Sequence, residues 1–369
     1  MIRRPGSGPI ARSVLKHPWL TAAAAGAALL VAAAIVVVSG IAPITASSGH
    51  WPITAWFLDF AKVRSVATHS IGIEAPRLDD SAMILRGAGH FEIACAPCHG
   101  AARGIVPPVM TAMTPPPPEL PGHVGRWTDA ELFYIVKHGI KFTGMPAWPD
   151  QRRDDEVWAA VAFLRRLPDL DADGYRALAY GAVPVEDSQV PQVVRDVCAR
   201  CHGLDGQGRL PGAFPSLAGQ RPEYLHRSLR AFADGRRSSG TMRAVAAALS
   251  EASMRDASLF YAALPSRVDG SPADADLLGR GETIARLGAP ERDIPACITC
   301  HGPREGPRNP AYPDLSGQHV EFLRSQLRLF QERRRGGSGY ENLMHVFAGR
   351  LRPEEVAAVT AFYATQRGR

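Results

Sequence analysis

The chain has 369 residues, 46% of them hydrophobic and 21% charged, a composition that excludes wholesale disorder and collagen-like repetition and leaves room for two or three ordinary domains. Its net charge of +6 is mostly local: Arg3, Arg4, Arg12 and Lys16 stand in residues 1–19 without an acid, and the other 350 residues carry 38 basic against 36 acidic groups. No domain is basic enough for a phosphate backbone, so nucleic acid is excluded as a partner.

In chain order, residues 1–19 form a basic tail, expected in the cytoplasm. Residues 20–42 are 23 without a charge, ten of them alanine, and a helix of that length crosses the hydrocarbon core. The flanking positive charges orient such a span with the N-terminus inside, which makes it a transmembrane anchor in a bacterial inner membrane with everything beyond it in the periplasm. The alternative is a cleaved signal peptide, whose apolar region is normally shorter, about 7–15 residues. Residues 43–79 form a membrane-proximal linker. In it Ile53, Trp56, Phe57, Phe60 and Val63 recur at helical spacing, a stripe suited either to the outer leaflet or to packing on the next domain.

Three domain-sized segments follow, at 80–168, 188–265 and 274–369. Turn residues concentrate between them, at 167–191 and 265–276. Each segment ends in a helical pattern (155–167, 251–264 and 353–366), strand alternation is nearly absent, and Pro-rich loops such as Pro115 to Pro118 fill the rest. The fold class is therefore all-α, three tandem domains after an N-terminal transmembrane helix. The second and third segments are an internal duplication. Pro215-Ser-Leu217-Ala-Gly219-Gln220 matches Pro313-Asp-Leu315-Ser-Gly317-Gln318, and Tyr224, Leu225, Leu229 and Phe232 match Phe322, Leu323, Leu327 and Phe330.

All six cysteines lie in one motif, repeated once per segment: Cys95-Ala-Pro-Cys98-His99, Cys198-Ala-Arg-Cys201-His202 and Cys297-Ile-Thr-Cys300-His301. Thiols two residues apart reach two vinyl groups on one porphyrin edge, and the adjacent histidine then lies under the iron. This is the c-type heme attachment signature. Structural zinc needs four ligands from paired knuckles, and a thioredoxin-type site needs a βαβ setting; neither fits. Three covalent heme c groups are the expected cofactors. They also supply the apolar filling that segments of this size and loop content need.

For the sixth iron ligand, Met145 follows His99 by 46 residues, Met242 follows His202 by 40, and Met344 follows His301 by 43. The repeated distance and context make each a distal thioether candidate. His138, Met254 and His345 are the alternatives, and His90, His123, His226 and His319 are read as surface or packing residues. His/Met ligation raises the reduction potential and leaves no open position on iron. Pro211 and Pro310 are candidates to orient the heme histidines through their carbonyls.

At these residues the chain resembles a class I cytochrome c array over residues 80–369. The second and third segments are similar to the duplicated domains of diheme periplasmic cytochromes, through Pro-x-Leu-x-Gly-Gln and the terminal Phe-Tyr. The first is similar to monoheme domains of membrane-bound cytochrome subunits, through Gly87-x-Gly-x-Phe91 and Gly144-Met145-Pro146. The resemblance implies crossed first and last helices in each domain; the second segment departs from it, its helix before Cys198 (Val190 to Val197) being short. It also implies a place in a respiratory chain beside a membrane dehydrogenase or terminal oxidase. The expected function is relay of single electrons by a carrier that is not itself an enzyme; the rival reading is a multiheme peroxidase, which needs one iron with a displaceable ligand.

Overall fold

The computed structural model describes residues 18–41, 44–101, 106–181, 189–210, 212–268, 274–303, 308–337 and 339–367; Arg3, Arg4, Arg12, Lys16 and Pro211 lie outside them. The described residues are helical, with a single isolated bridge between Ala289 and Ile294. Helix α1 (Pro18–Ser39) is uncovered along its length and, at 22 residues with mean hydropathy 2.4, is long and apolar enough to cross a membrane. In helix α2 (Pro52–His69) the stripe is exposed at Ile53, Trp56, Phe57 and Phe60 and half-buried at Val63, and the helix reaches the first domain through residues beyond the stripe. Val66 is buried and His69 stacks on Tyr134 of the first domain.

In the first domain α3 (Ser81–His90) starts on Asp80, whose carboxylate accepts from Ala82 N and Met83 N at 2.7 and 3.1 Å. The helix widens into a π turn over Phe91–Cys95 and closes in α4 (Ala96–His99). Helix α5 (Asp129–His138) opens with a capping box between Thr128 and Glu131; such reciprocal bonds satisfy two otherwise orphaned amides. Helix α6 (Asp154–Arg166) buries Val157, Val161, Phe163 and Leu164 against Phe91, Leu132 and Phe133. The segment 167–191, expected to link domains, carries α7 (Ala172–Ala179), whose Tyr175 and Ala179 enter this same core.

The second domain holds α8 (Ala199–His202), α9 (Pro222–Ala233), α10 (Gly240–Ala247) and α11 (Glu251–Ala263). The third holds α12 (Ala275–Leu287), α13 (Ile298–His301), α14 (Val320–Gln331), α15 (Glu341–Gly349) and α16 (Pro353–Thr365). The last helices of all three domains match the expected spans to within about two residues.

First and last helices cross in the first and third domains, and a glycine makes each crossing. A Cβ on Gly87 would lie 2.0 Å from the carbonyl oxygen of Ala159, and one on Gly281 would lie 2.1 Å from that of Ala358. Such overlap forces the helices apart, which for an overpacked core costs about 3 kcal/mol. Gly281→Ala should therefore lower the thermal midpoint of the third domain by roughly 10 °C or more, measured by circular dichroism. An unchanged midpoint would show that the crossing does not hold this domain together. Among the described residues the second domain has no long first helix to cross: before Cys198 they hold helix at residues 192–193 and a π turn over Val194–Cys198, as the sequence suggests.

Candidate functional site

Each Cys-x-x-Cys-His segment is folded as one helical turn ending on its histidine. The next residue is glycine every time, Gly100, Gly203 and Gly302, with φ/ψ of 75/163°, 74/160° and 77/−175°. Only glycine adopts that region without strain. The sequence reading passed over these three glycines, although their repeated place after the histidine was visible. In the first two domains the π turn immediately before the first cysteine rotates that thiol relative to a regular helix, the kind of local irregularity that marks functional sites.

The histidines are set identically. His99 Nδ1 lies 2.9 Å from the carbonyl oxygen of Pro118, His202 Nδ1 3.1 Å from that of Pro215, and His301 Nδ1 3.0 Å from that of Pro313. A carbonyl only accepts, so Nδ1 carries the proton and Nε2 keeps its lone pair for a metal. Burial also holds all three imidazoles below the ordinary histidine range. These acceptors correct one expectation: the orienting carbonyl is that of Pro313 rather than Pro310, and in the second domain it is that of Pro215. Both belong to the Pro-x-Leu-x-Gly-Gln repeat.

None of the six cysteines forms a disulfide. Burial pushes Cys95 and Cys198 up to about 12 and Cys201 and Cys297 to about 11, which keeps them protonated. Redox-active cysteines have the opposite signature, a stabilised thiolate. Among the described residues no three His, Cys, Asp or Glu side chains gather as a metal cluster. Paired thiols next to an imidazole with a free Nε2 are the donor set of covalent heme attachment.

The methionines differ in setting. Met145 lies in the loop after α5, its amide donating to Thr143 Oγ1 at 3.1 Å and its carbonyl accepting from Ile140 N at 3.2 Å. Met242 and Met344 lie in the first turns of α10 and α15, which pack on α9 and α14. All three are half-buried. The alternatives are otherwise engaged. Met254 is buried within α11, His345 Nε2 lies 2.7 Å from the carbonyl oxygen of Arg335, and His138 is exposed and stacks on Tyr134. His226 meets Glu251, His123 its own helix, and His319 the carbonyl oxygen of Gln207.

The second and third sites are clasped through the loops that hold their histidines. Gln318 accepts from Ser216 N at 3.0 Å and donates to Ser216 O at 2.8 Å; Gln220 does the same to Asp314 at 2.9 and 2.8 Å. Each clasped residue directly follows the proline whose carbonyl orients a histidine. Arg237 and Arg335 occupy matching places after α9 and α14 and are both buried at this interface. Their guanidiniums bond Tyr224 Oη, Gln326 Oε1 and the Gly336 carbonyl, all uncharged acceptors. Burial and the nearby Arg237 charge lower Arg335 to about 9, and the two arginines outweigh burial in bringing Tyr224 down to about 8. Buried cations in need of anions suit the propionates of heme c, so the residues present fit that group.

The first and second sites also touch. A Cβ on Gly89 of α3 would lie 3.2 Å from Cys201 Sγ, and Arg86 donates to Gly212 O at 2.9 Å. His90, read as a packing residue, is buried against Trp148 with ring centroids 3.9 Å apart, and burial lowers it to about 4, so it is neutral.

Residues 82–164 match the family described as cytochrome c oxidase, cbb3-type, subunit III, and residues 189–259 match cytochrome c. The chain is 32% identical over 190 residues to cytochrome c4 of Pseudomonas aeruginosa, covering 51% of this chain and 92% of that one. It is 35% identical over 193 residues to cytochrome c4 of Thiocapsa roseopersicina, covering 52% and 96%. A thiosulfate dehydrogenase electron acceptor of Thiomonas intermedia is 34% identical over 172 residues, 46% of this chain and 78% of that one. Among solved structures, reduced recombinant cytochrome c4 from Pseudomonas stutzeri aligns with a TM-score of 0.45 and 29% identity over 50% of this chain and all of that one.

Proposed function

Because the chain belongs to the cytochrome c family, we propose that it is a membrane-anchored carrier that relays single electrons through three covalently attached heme c groups. The observation that carries this reading is the threefold recurrence of one built site. Each domain has a helical Cys-x-x-Cys-His turn closed by glycine, with Nδ1 of the histidine on a proline carbonyl. Heme c, when bound, supplies one-electron Fe(III)/Fe(II) exchange.

The protein's own residues do the rest. Cys95 and Cys98, Cys198 and Cys201, and Cys297 and Cys300 form the thioethers. His99, His202 and His301 would bind the heme iron through Nε2, and Met145, Met242 and Met344 would supply its second protein ligand through sulfur. Full axial ligation leaves a carrier rather than a peroxidase. The α1 span holds the protein at the bacterial inner membrane, with residues 80–168, 188–265 and 274–369 in the periplasm. Its redox partners are a donor of the dehydrogenase class, as the name of the Thiomonas intermedia relative suggests, and an acceptor such as a terminal oxidase.

Purified from membranes, the protein should give three hemes per chain by pyridine hemochrome and should stay with the bilayer after an alkaline carbonate wash. Two hemes per chain, or release by the wash, would overturn the count or the anchor respectively.

A further inference from the structure

The first domain reaches into the second at the helix that carries Met242. Glu156, on α6, accepts from Ser239 Oγ at 2.6 Å through one carboxylate oxygen, and from Gly240 N at 2.6 Å and Thr241 N at 3.3 Å through the other. Those two amides belong to the first turn of α10, where backbone donors have no partner inside the helix. Ser239 Oγ in turn accepts from Met242 N at 3.0 Å, so a chain of hydrogen bonds runs from the first domain to the methionine's own backbone. Arg153, one turn before Glu156, offsets the buried carboxylate at 3.0 Å and donates to Ser238 O at 2.7 Å.

The other side of the same turn is also held by the first domain. Trp148 occupies the space a Cβ on Gly240 would take, with Nε1 only 2.2 Å from that position, and His90 Nδ1 lies 3.0 Å from Thr241 Oγ1. Residues 238–241, the four leading into Met242, thus each touch a group from the first domain. The corresponding helix of the third domain, α15, begins at Tyr340 without a side-chain cap.

We propose that Glu156 is a positioning residue for the second heme: by capping α10 from the neighbouring domain it fixes Met242 for ligation, so that docking of the first domain sets the potential of the second heme. The inference rests on Met242 being the distal ligand. A thioether is a weak ligand, and holding its backbone removes conformational freedom that ligation otherwise has to overcome. The chain thereby couples two redox sites through a helix cap, without a shared ligand.

The test uses the full-length holoprotein in detergent, with heme-resolved potentiometric titration and the methionine–iron charge-transfer band as readouts. Glu156→Ala should lower the potential of one heme, the same heme that Met242→Ala lowers but by less, and should weaken the band while the other two hemes stay put. Combined with Met242→Ala it should add no further shift. Glu156→Gln, which keeps one acceptor oxygen, should fall between Glu156→Ala and the wild type. If Met242→Ala lowers one heme and Glu156→Ala lowers none, or lowers a different one, the positioning role is wrong and the ligand assignment stands. If Met242→Ala lowers none, the ligand assignment itself fails and the inference falls with it. Should Glu156→Ala not fold, Ser239→Ala cuts the same chain of bonds from within the second domain, with the same expected and overturning results.

Discussion

Met145→Ala, Met242→Ala and Met344→Ala are each expected to lower the potential of one heme by on the order of 0.1 V or more, a fraction of the roughly 0.8 V over which axial ligands tune heme proteins. The other two potentials should change little, because each methionine belongs to a different domain with its own histidine. The physical basis is the preference of a thioether for Fe(II): removing it leaves water or a nitrogen donor, which favours Fe(III). Packing offers the opposite expectation. If these methionines only fill gaps, as methionine often does, all three variants will keep three unshifted potentials and differ in melting temperature alone. Met145→Ala is the cleanest case, because its loop is tied to Thr143 and Ile140 and holds its shape without the side chain. Recovery of a wild-type potential by a histidine at 145 would contradict sulfur ligation.

The second large effect is on stability. The main buried apolar cluster of the second domain is Val194, Leu225, Ala257 and Tyr261, and large buried side chains contribute only about 1.5–3 kcal/mol each. A domain of this size needs to offset the ordering of its backbone, so the covalently held porphyrin must supply much of the apolar interior. Cys198→Ser with Cys201→Ser should therefore reduce the heme count from three to two. It should also remove the second domain's helical signal at 25 °C, a loss on the order of 5 kcal/mol or more. The third domain should melt earlier as well, since the Gln220 and Gln318 clasp loses one partner. The first domain, with its larger core around Phe91, Phe133, Phe163 and Tyr175, should retain its own transition if it folds around itself. Two hemes with an unchanged melting curve would show that the protein part alone holds the second domain.

Much of this was legible in the amino-acid order, and what escaped it has a common cause. Cys-x-x-Cys-His is local chemistry on one turn of chain, and the terminal helices carry their own apolar period, so both could be read directly. The short helix before Cys198 was visible as a lack of periodic residues. The orienting carbonyls were not. Pro118, Pro215 and Pro313 are 19, 13 and 12 residues from their histidines, and the direction of a loop carbonyl depends on tertiary folding rather than on residue type. The repeat containing Gln220 and Gln318 was recognised as a duplication, yet its use as an interdomain clasp needed both copies in space. Glu156 carried no signal at all, for its partners lie 83 to 85 positions away in another domain. Helix α7 was hidden for a different reason: it sits in a turn-rich stretch, and only Tyr175, Leu178 and Ala179 of it meet the core.

Potentiometric titration of the membrane-purified holoprotein, followed by low-temperature EPR and the methionine–iron charge-transfer band, reads the three proposed His/Met sites at once. Three one-electron, low-spin centres are expected, each contributing to the band. A high-spin centre in the resting protein that turns over peroxide, or a centre with two nitrogen ligands, would contradict the His/Met assignment.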